Sequence, residues 1–328
     1  MNKILLFLLL LMVLGLSVLL ALSLGTVTFS LSEVLRLLFH HSEKSIPATI
    51  FWHLRAPRII LAVITGAGLA ASGCVFQALL RNPLADSYTL GISGGAALGA
   101  TIGIVSGLAN IHVLFLPLCA LCGTMLCIYV VYRLAANNHF SNHTLILSGV
   151  ILGFICASLV LLLIALTNAE KLYSTLVWLT GDLSSTDPAT IVTPFIMTTL
   201  GLGVLVLFSR ELDVLTLGEE KAAHLGIDPE MMRKLLFIIA SLITAACVSV
   251  AGVVGFVGLM IPHLMRRISG SSSRTLLISS AIGGAAFLTI CDTFARTIIA
   301  PVELPVGVIT GLVGGITFFV LLVRKTSH

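Results

Sequence analysis

The sequence predicts an all-α, polytopic membrane protein with about ten transmembrane helices, and three observations lead to that prediction. Hydrophobic residues make up 58% of the 328 positions and charged residues only 10%, whereas about a quarter of a soluble domain is charged. Mean hydropathy is +1.13. The apolar residues form long runs that a globular core could not hide from solvent. Lipid is therefore the solvent for most of the chain.

Ten apolar runs account for the predicted helices, and we treat residues 1–328 as a single transmembrane domain. Backbone groups in lipid must be hydrogen-bonded within each segment, so each run is expected to be helical. The first run has 21 residues, longer than the roughly 7–15 of a signal peptide, which favours a retained span. The run at 256–268 is short and is expected to be tilted, broken or partly buried. The runs are 4–24, 59–80, 90–108, 113–132, 144–167, 189–208, 232–250, 256–268, 275–295 and 305–323.

The distribution of Lys and Arg predicts the orientation. With the N-terminus inside, twelve of these residues lie on the inner side and six on the outer side, which follows the positive-inside rule. An even number of spans returns the C-terminus to the inside, where Arg324 and Lys325 lie. Both termini are therefore predicted to be cytoplasmic.

Capping signals predict where helices begin outside the apolar runs. Ser30-x-x-Glu33 is a capping box that predicts a short outer helix over 31–39. Asp187 followed by Pro188 is a typical start for the sixth span, because an aspartate can cap the helix and proline suits its first position.

The inner loop at 210–231 carries the most signals. Thr216-x-x-Glu219 is a second capping box, and Gly226 suits a C-terminal cap, so a short helix is predicted over 217–225. Asp228-Pro229 then begins the next helix. A helix bounded on both sides indicates a rigid feature at the inner membrane face.

Catalytic patterns are missing from the sequence. It has no H-E-x-x-H, no G-x-S-x-G and no P-loop lysine motif. The seven cysteines all lie in apolar runs, without metal-ligand or disulfide spacing. The net charge of +4 is scattered, which argues against nucleic-acid binding. We expect no metal or cofactor in this chain. An intramembrane enzyme is one functional hypothesis, and it has the least support because the sequence shows no nucleophile–base pair. Two transport hypotheses follow.

Asp292 supports a second hypothesis, a proton-coupled secondary transporter. It is the carboxylate that falls inside a predicted span, where ionisable groups are costly and often functional. Asp292 also precedes Arg296 by four residues, the spacing of a helical ion pair. A proton relay and a structural ion pair are both open.

Three outer arginines depart from the positive-inside trend. Arg55 and Arg58 lie where the second span begins, and Arg296 lies where the ninth ends. They are either interfacial side chains that extend toward water or a positive docking surface for a soluble partner that carries carboxylates.

Several motifs, in order, resemble the FecCD family, the permeases of ABC importers for ferric siderophores, haem and cobalamin. The resemblance covers about residues 50–325. Its motifs are Arg55-Ala56-Pro57-Arg58, Arg81-Asn82-Pro83-Leu84-Ala85, Leu90-Gly91-Ile92-Ser93-Gly94-Gly95-Ala96, Gly255-Phe256-Val257-Gly258-Leu259-Met260-Ile261-Pro262-His263 and Glu303-Leu304-Pro305-Val306-Gly307.

The resemblance implies the ABC importer type II permease fold in a bacterial cytoplasmic (inner) membrane. We expect a second permease subunit, two cytoplasmic ATPases that use ATP and magnesium, and an outer substrate-binding protein. The second permease is expected to be another copy of this chain, and a paired paralogue in a heterodimer stays open. The family's commonest cargo is a ferric siderophore, with haem, cobalamin and molybdate as alternatives. The leading hypothesis is therefore the permease subunit of an ABC importer, a transport subunit and not an enzyme, which agrees with the missing P-loop.

Site residues carry over from the family by position. Arg55, Arg58 and Arg296 match the arginines that dock the binding protein. The predicted inner helix matches the coupling helix that contacts the ATPase, with Leu217, Gly218, Glu219, Glu220, Ala223 and Gly226. The cytoplasmic gate corresponds to Asn82, Leu84, Ser141, Asn142 and His143. The histidine stands where small or basic residues are common in the family.

Overall fold

The computed structural model describes residues 3–39, 45–138, 140–185, 187–270 and 272–326. These residues form helices joined by short turns, and no β-strand occurs among them. The all-α prediction is therefore confirmed. The helices are α1 (Lys3–Ser23), α2 (Leu31–Phe39), α3 (Ile46–Thr49), α4 (Ala56–Leu80), α5 (Ile92–Val105), α6 (Phe115–Ala136), α7 (Asn142–Ala165), α8 (Ala169–Leu179), α9 (Pro188–Leu207), α10 (Ser209–Thr216), α11 (Glu219–His224), α12 (Pro229–Ala251), α13 (Val257–Ser269), α14 (Ser273–Thr297) and α15 (Val306–Thr326).

Each of the ten predicted spans coincides with one of these helices. Seven of them are long and apolar enough to cross a membrane, and α5 and the stretch Val306–Val320 of α15 are shorter apolar segments. Helix α13 has 13 residues, about 20 Å, which is less than the roughly 30 Å of a bilayer core. The predicted shortness of the run at 256–268 is thus confirmed. Helix α8 was not predicted.

Helix α4 lies at the centre of the bundle. A π-helical turn, Ile50–Arg55, joins it to α3, and the most apolar stretch of this segment is 83% buried. Glycines allow close crossings: a Cβ on Gly66 would lie 2.3 Å from the Gly284 carbonyl oxygen, and one on Gly73 would lie 2.0 Å from that of Gly258. Small residues therefore bring the α4 backbone against α14 and α13, as is usual in membrane bundles.

Three of the four predicted helix starts are confirmed. Ser30 N donates to Glu33 Oε2 at 2.8 Å, and Glu33 N donates to Ser30 Oγ at 3.3 Å. The hydrogen bonds from Ser30 hold the pKa of Glu33 below its usual range. The Asp187 side chain caps α9, and the Asp228 side chain caps α12.

The capping box predicted at Thr216 is wrong. Thr216 is the last residue of α10, and its Oγ1 donates to the Asp213 carbonyl at 2.6 Å. Helix α11 begins at Glu219 after Gly218, without a side-chain cap, so it is shorter than the predicted 217–225. The physical reason is that α10, which was not predicted, already includes Thr216. The C-terminal cap is confirmed, because Gly226 has φ +79°.

The break that follows α8 is hydrogen-bonded to two other breaks between helices. Asp182 N donates to the Ala251 carbonyl at 2.9 Å, Val306 N to Gly181 at 3.2 Å, and Gly307 N to Thr180 at 2.9 Å. We call residues 180–182, 251–256 and 306–307 the backbone junction. It satisfies polar backbone groups where α8, α12 and α15 end or begin, which is the condition for irregular backbone inside a membrane protein.

Candidate functional site

A cluster of charged side chains joins α4, α14 and the segment before α15. Asp292 Oδ1 lies 2.9 Å from Arg58 Nη2, and Asp292 Oδ2 lies 3.0 Å from Arg296 Nε. Arg58 Nη1 also lies 2.6 Å from Glu303 Oε2. We call Arg55, Arg58, Asp292, Arg296 and Glu303 the outer charge cluster. The ion pair predicted between Asp292 and Arg296 is confirmed.

Arg55 is held by backbone groups of its own chain. Its two terminal nitrogens donate to the carbonyls of Leu22 and Val27, and its guanidinium carbon lies 4.6 Å from the centre of the Phe29 ring. Only 4% of the residue is exposed. Arg55 therefore ties the start of the α4 segment to the end of α1 and the turn that follows it.

The three arginines predicted to dock a partner differ in how far they reach the surface. Arg55 and Arg296 are buried. The Arg58 side chain is 11% exposed, and its partner Glu303 is 39% exposed. The outermost members of the cluster are thus Arg58 and Glu303. Sequence reasoning gave Glu303 no role, although the pairing of charges at the ends of α4 and α14 was a signal that could have found it.

The inner helix α11 has one face against the protein and one face open. Glu219 Oε1 lies 2.6 Å from Nη1 of Arg233, whose side chain is 5% exposed. Ala222 is buried. Of the predicted coupling residues, Gly218 is half-buried, and the exposed ones are Leu217, Glu219, Glu220, Ala223 and Gly226. Sequence reasoning missed Arg233, which lies one turn into the next helix.

Two inner segments predicted to form a gate lie side by side. Asn142 Nδ2 donates to the Leu80 carbonyl at 3.2 Å, which brings the start of α7 to the end of α4. Asn82 Oδ1 accepts a hydrogen bond from the Leu84 amide at 3.0 Å. Leu84 and His143 are exposed, and Ser141 caps α7. The five predicted gate residues therefore occupy one region at the C-terminal end of α4.

Two cavities of about 460 Å³ and 610 Å³ lie beside the backbone junction. Tyr88, Leu179 and Val253 line both of them. The remaining lining is mostly small or apolar, with Asp86 in the smaller cavity. Asp86 is 8% exposed, and its Oδ1 accepts hydrogen bonds from the amides of Tyr88 and Thr89. Sequence reasoning missed this second buried carboxylate because it lies between spans.

The geometry combines the outer charge cluster, helix α11 with its open face and two mainly apolar cavities beside the backbone junction. Asp292 is held between two guanidinium groups and is 1% exposed. A proton relay requires a carboxylate that exchanges protons with water or with another acid. This arrangement favours a structural role for Asp292 over proton transfer.

Comparison with known proteins gives consistent results. The sequence pattern of the FecCD transport family matches residues 10–324. The chain is 35% identical to the hemin transport system permease protein HmuU of Yersinia pestis, over 91% of this chain and 90% of that protein. It is 39% identical to the cobalamin import system permease protein BtuC of Halobacterium salinarum, over 83% of this chain and 72% of that protein.

The fold is also similar to a solved structure. An inward-facing metal-chelate type ABC transporter superimposes with a TM-score of 0.86 at 28% sequence identity. The match covers 98% of this chain and all of the other. Agreement over the full length extends the similarity from local motifs to the order of the helices.

Proposed function

Because this chain belongs to the FecCD transport family, we propose that it is the permease subunit of an ATP-driven importer that moves a metal chelate across the membrane. The observation that carries the proposal is the family match over residues 10–324, together with relatives named for hemin and cobalamin transport. The chain is a transport subunit and not an enzyme. It supplies the path and the moving helices.

The proposed cargo is a ferric siderophore, with haem, cobalamin and molybdate as the alternatives. Support comes from the two cavities, whose walls are mainly small and apolar. Such walls let a bulky chelate pass without holding it tightly, and a separate binding protein then provides selectivity.

The proposed assembly contains a second copy of this chain, two cytoplasmic ATPases that bind ATP and magnesium, and an outer substrate-binding protein. It lies in a bacterial cytoplasmic membrane with both termini in the cytoplasm. ATP binding closes the ATPase dimer, the open face of α11 receives that movement, and the segments at Asn82–Leu84 and Ser141–His143 open or close the inner end of the path.

Docking of the binding protein is assigned to the outer charge cluster. Arg58 offers the contact, because it and Glu303 are the most exposed members. Arg55 and Arg296 act from behind, where they fix the ends of α1 and α14. A carboxylate on the binding protein exchanges with Glu303 for Arg58, while Asp292 stays as the buried counter-charge.

Co-purification tests the proposal. The chain is tagged, expressed with its genomic neighbours and extracted in mild detergent, and the native mass is measured. A particle with two permeases and two ATPases supports the importer. A lone permease that still transports cargo in ATP-free proteoliposomes overturns it and restores the proton-coupled hypothesis.

A further inference from the structure

Two neighbouring glutamates at the start of α11 have different surroundings. Glu219 Oε1 lies 2.6 Å from Arg233 Nη1. Glu220 is exposed and takes part in no ion pair within the described part of the chain. The two residues share a helix, a charge and an exposed position, so they form a natural comparison.

Arg233 depends on Glu219 for its counter-charge. Only 4% of Arg233 is exposed, and its Nε has no hydrogen-bond partner among the described residues. No other carboxylate in those residues forms an ion pair with it. A buried guanidinium that loses its partner is strongly unfavourable, so any movement of Glu219 requires Arg233 to follow or to find a new position.

Helix α12 extends from Arg233 to the cavities. It packs against α4, α6 and α9 and ends at Ala251, about 27 Å from Arg233 along the axis. Val253, two residues beyond that end, lines both cavities. Because Ala251 is hydrogen-bonded to Asp182 in the backbone junction, displacement at the inner end of α12 is carried to the cavity wall.

We propose that the Glu219–Arg233 ion pair is the link through which movement of α11 reaches α12 and the transport path. Glu219 is a positioning residue that acts on Arg233 within the chain, whereas Glu220 faces the ATPase. The inference rests on the proposed function, because it takes α11 as the element that the ATPase moves. Among the described residues of α11, Ala222 is the buried one. Its side chain is small, so it adds little to the packing of α11 against the rest of the protein.

The test uses the complete importer in proteoliposomes with three readouts: affinity for the ATPase, rate of ATP hydrolysis and cargo imported per ATP hydrolysed. Glu219→Gln is expected to leave ATPase affinity within about twofold, since the Glu219 carboxylate is paired with Arg233 inside the chain and is not the group offered to the ATPase. It is expected to lower cargo per ATP by about fivefold or more, the lower end of usual coupling effects.

Glu220→Gln is the matched control. It is expected to lower ATPase affinity, while assembled complexes keep the same cargo per ATP. Exchange of the two charges, Glu219→Arg with Arg233→Glu, is expected to restore cargo per ATP relative to either single change. Rescue of that ratio separates a coupling link from a residue that only stabilises the fold. Unchanged cargo per ATP in Glu219→Gln, or equal effects at both glutamates, overturns the inference.

A measurement on the permease alone separates this inference from the proposed function. Hydrogen exchange of the amides at 220–227 is expected to become faster in Glu219→Gln but not in Glu220→Gln. If the wild-type chain bound no ATPase, the proposed function would be wrong. If exchange were the same in both variants, the link between α11 and α12 would be wrong, whatever the ATPase result.

Discussion

Replacement of Asp292 by asparagine is expected to destabilise the fold while leaving ATP-driven uptake in place. The change keeps the size of the side chain and removes its charge. Arg58 retains Glu303 at 2.6 Å. Arg296, which is 5% exposed, loses its carboxylate. Arg55, another member of the cluster, carries the same charge as Arg296 and therefore cannot replace the lost carboxylate.

The size of the effect follows from this geometry. Removal of one partner from a buried ion pair costs about 3–5 kcal/mol. The lower end, about 3 kcal/mol, is expected here because asparagine can still accept one hydrogen bond and Arg58 keeps a second partner. For a chain of 328 residues this corresponds to a melting temperature lower by roughly 4 °C, on the scale of soluble domains.

The assay is thermal unfolding in detergent, followed by uptake per folded protein in proteoliposomes. The matched variant combines Asp292→Asn with Arg296→Gln, which removes the unpaired cation and is expected to recover part of the lost stability. Wild-type stability in Asp292→Asn would refute the structural reasoning. Loss of uptake in fully folded Asp292→Asn, together with dependence on a proton gradient in the wild type, would instead support proton coupling.

Three further predictions concern other parts of the chain. Arg58→Gln is expected to weaken the affinity for the binding protein about tenfold, roughly 1.4 kcal/mol. Arg55→Gln is expected mainly to lower the melting temperature, and an equal loss of affinity in both variants would contradict the different roles of the two arginines. Gly73→Ala is expected to cost about 1–3 kcal/mol in thermal unfolding, because its Cβ would lie 2.0 Å from a backbone oxygen, and Gly203→Ala, with open space around it, is the control. The capping box lowers the pKa of Glu33 in the folded chain, so its stabilising effect is present above the unfolded pKa of about 4.3 and is lost as pH falls through the folded value. Hydrogen-exchange protection of α2 is therefore expected to fall in acid, and Glu33→Gln removes that dependence; protection that does not change with pH would contradict it.

The spans were predictable because the backbone of an apolar run in lipid must form its hydrogen bonds within the segment, and a helix does this. Each run had to be helical, and helix ends marked by Asp187 and Asp228 fall where the side chains cap the backbone. The capping box at Thr216 failed because the same residue types also occur at a helix end. A side-chain pattern does not state which of two adjacent helices it belongs to.

The candidate site was only partly predictable because its contacts join distant parts of the chain. The pair Asp292–Arg296 is local and was readable from its spacing. Arg58 reaches the same carboxylate from 234 positions away, and sequence alone gives no measure of that distance. Arg233 was missed for a similar reason, since its burial depends on how α12 packs.

The backbone junction has a consequence for how such a chain can diverge over generations. Segment 180–182 is hydrogen-bonded to both of the other segments. An insertion or deletion in it therefore leaves unpaired groups in the other two, and one in either of those leaves unpaired groups in 180–182. Changes of length there have to arise together, whereas single substitutions that keep the backbone in place can accumulate independently. By contrast, the turn at Gly107 has open space around it and can gain or lose residues without a matching change elsewhere. Relatives are therefore expected to vary in length at such outer turns long before they vary at the junction.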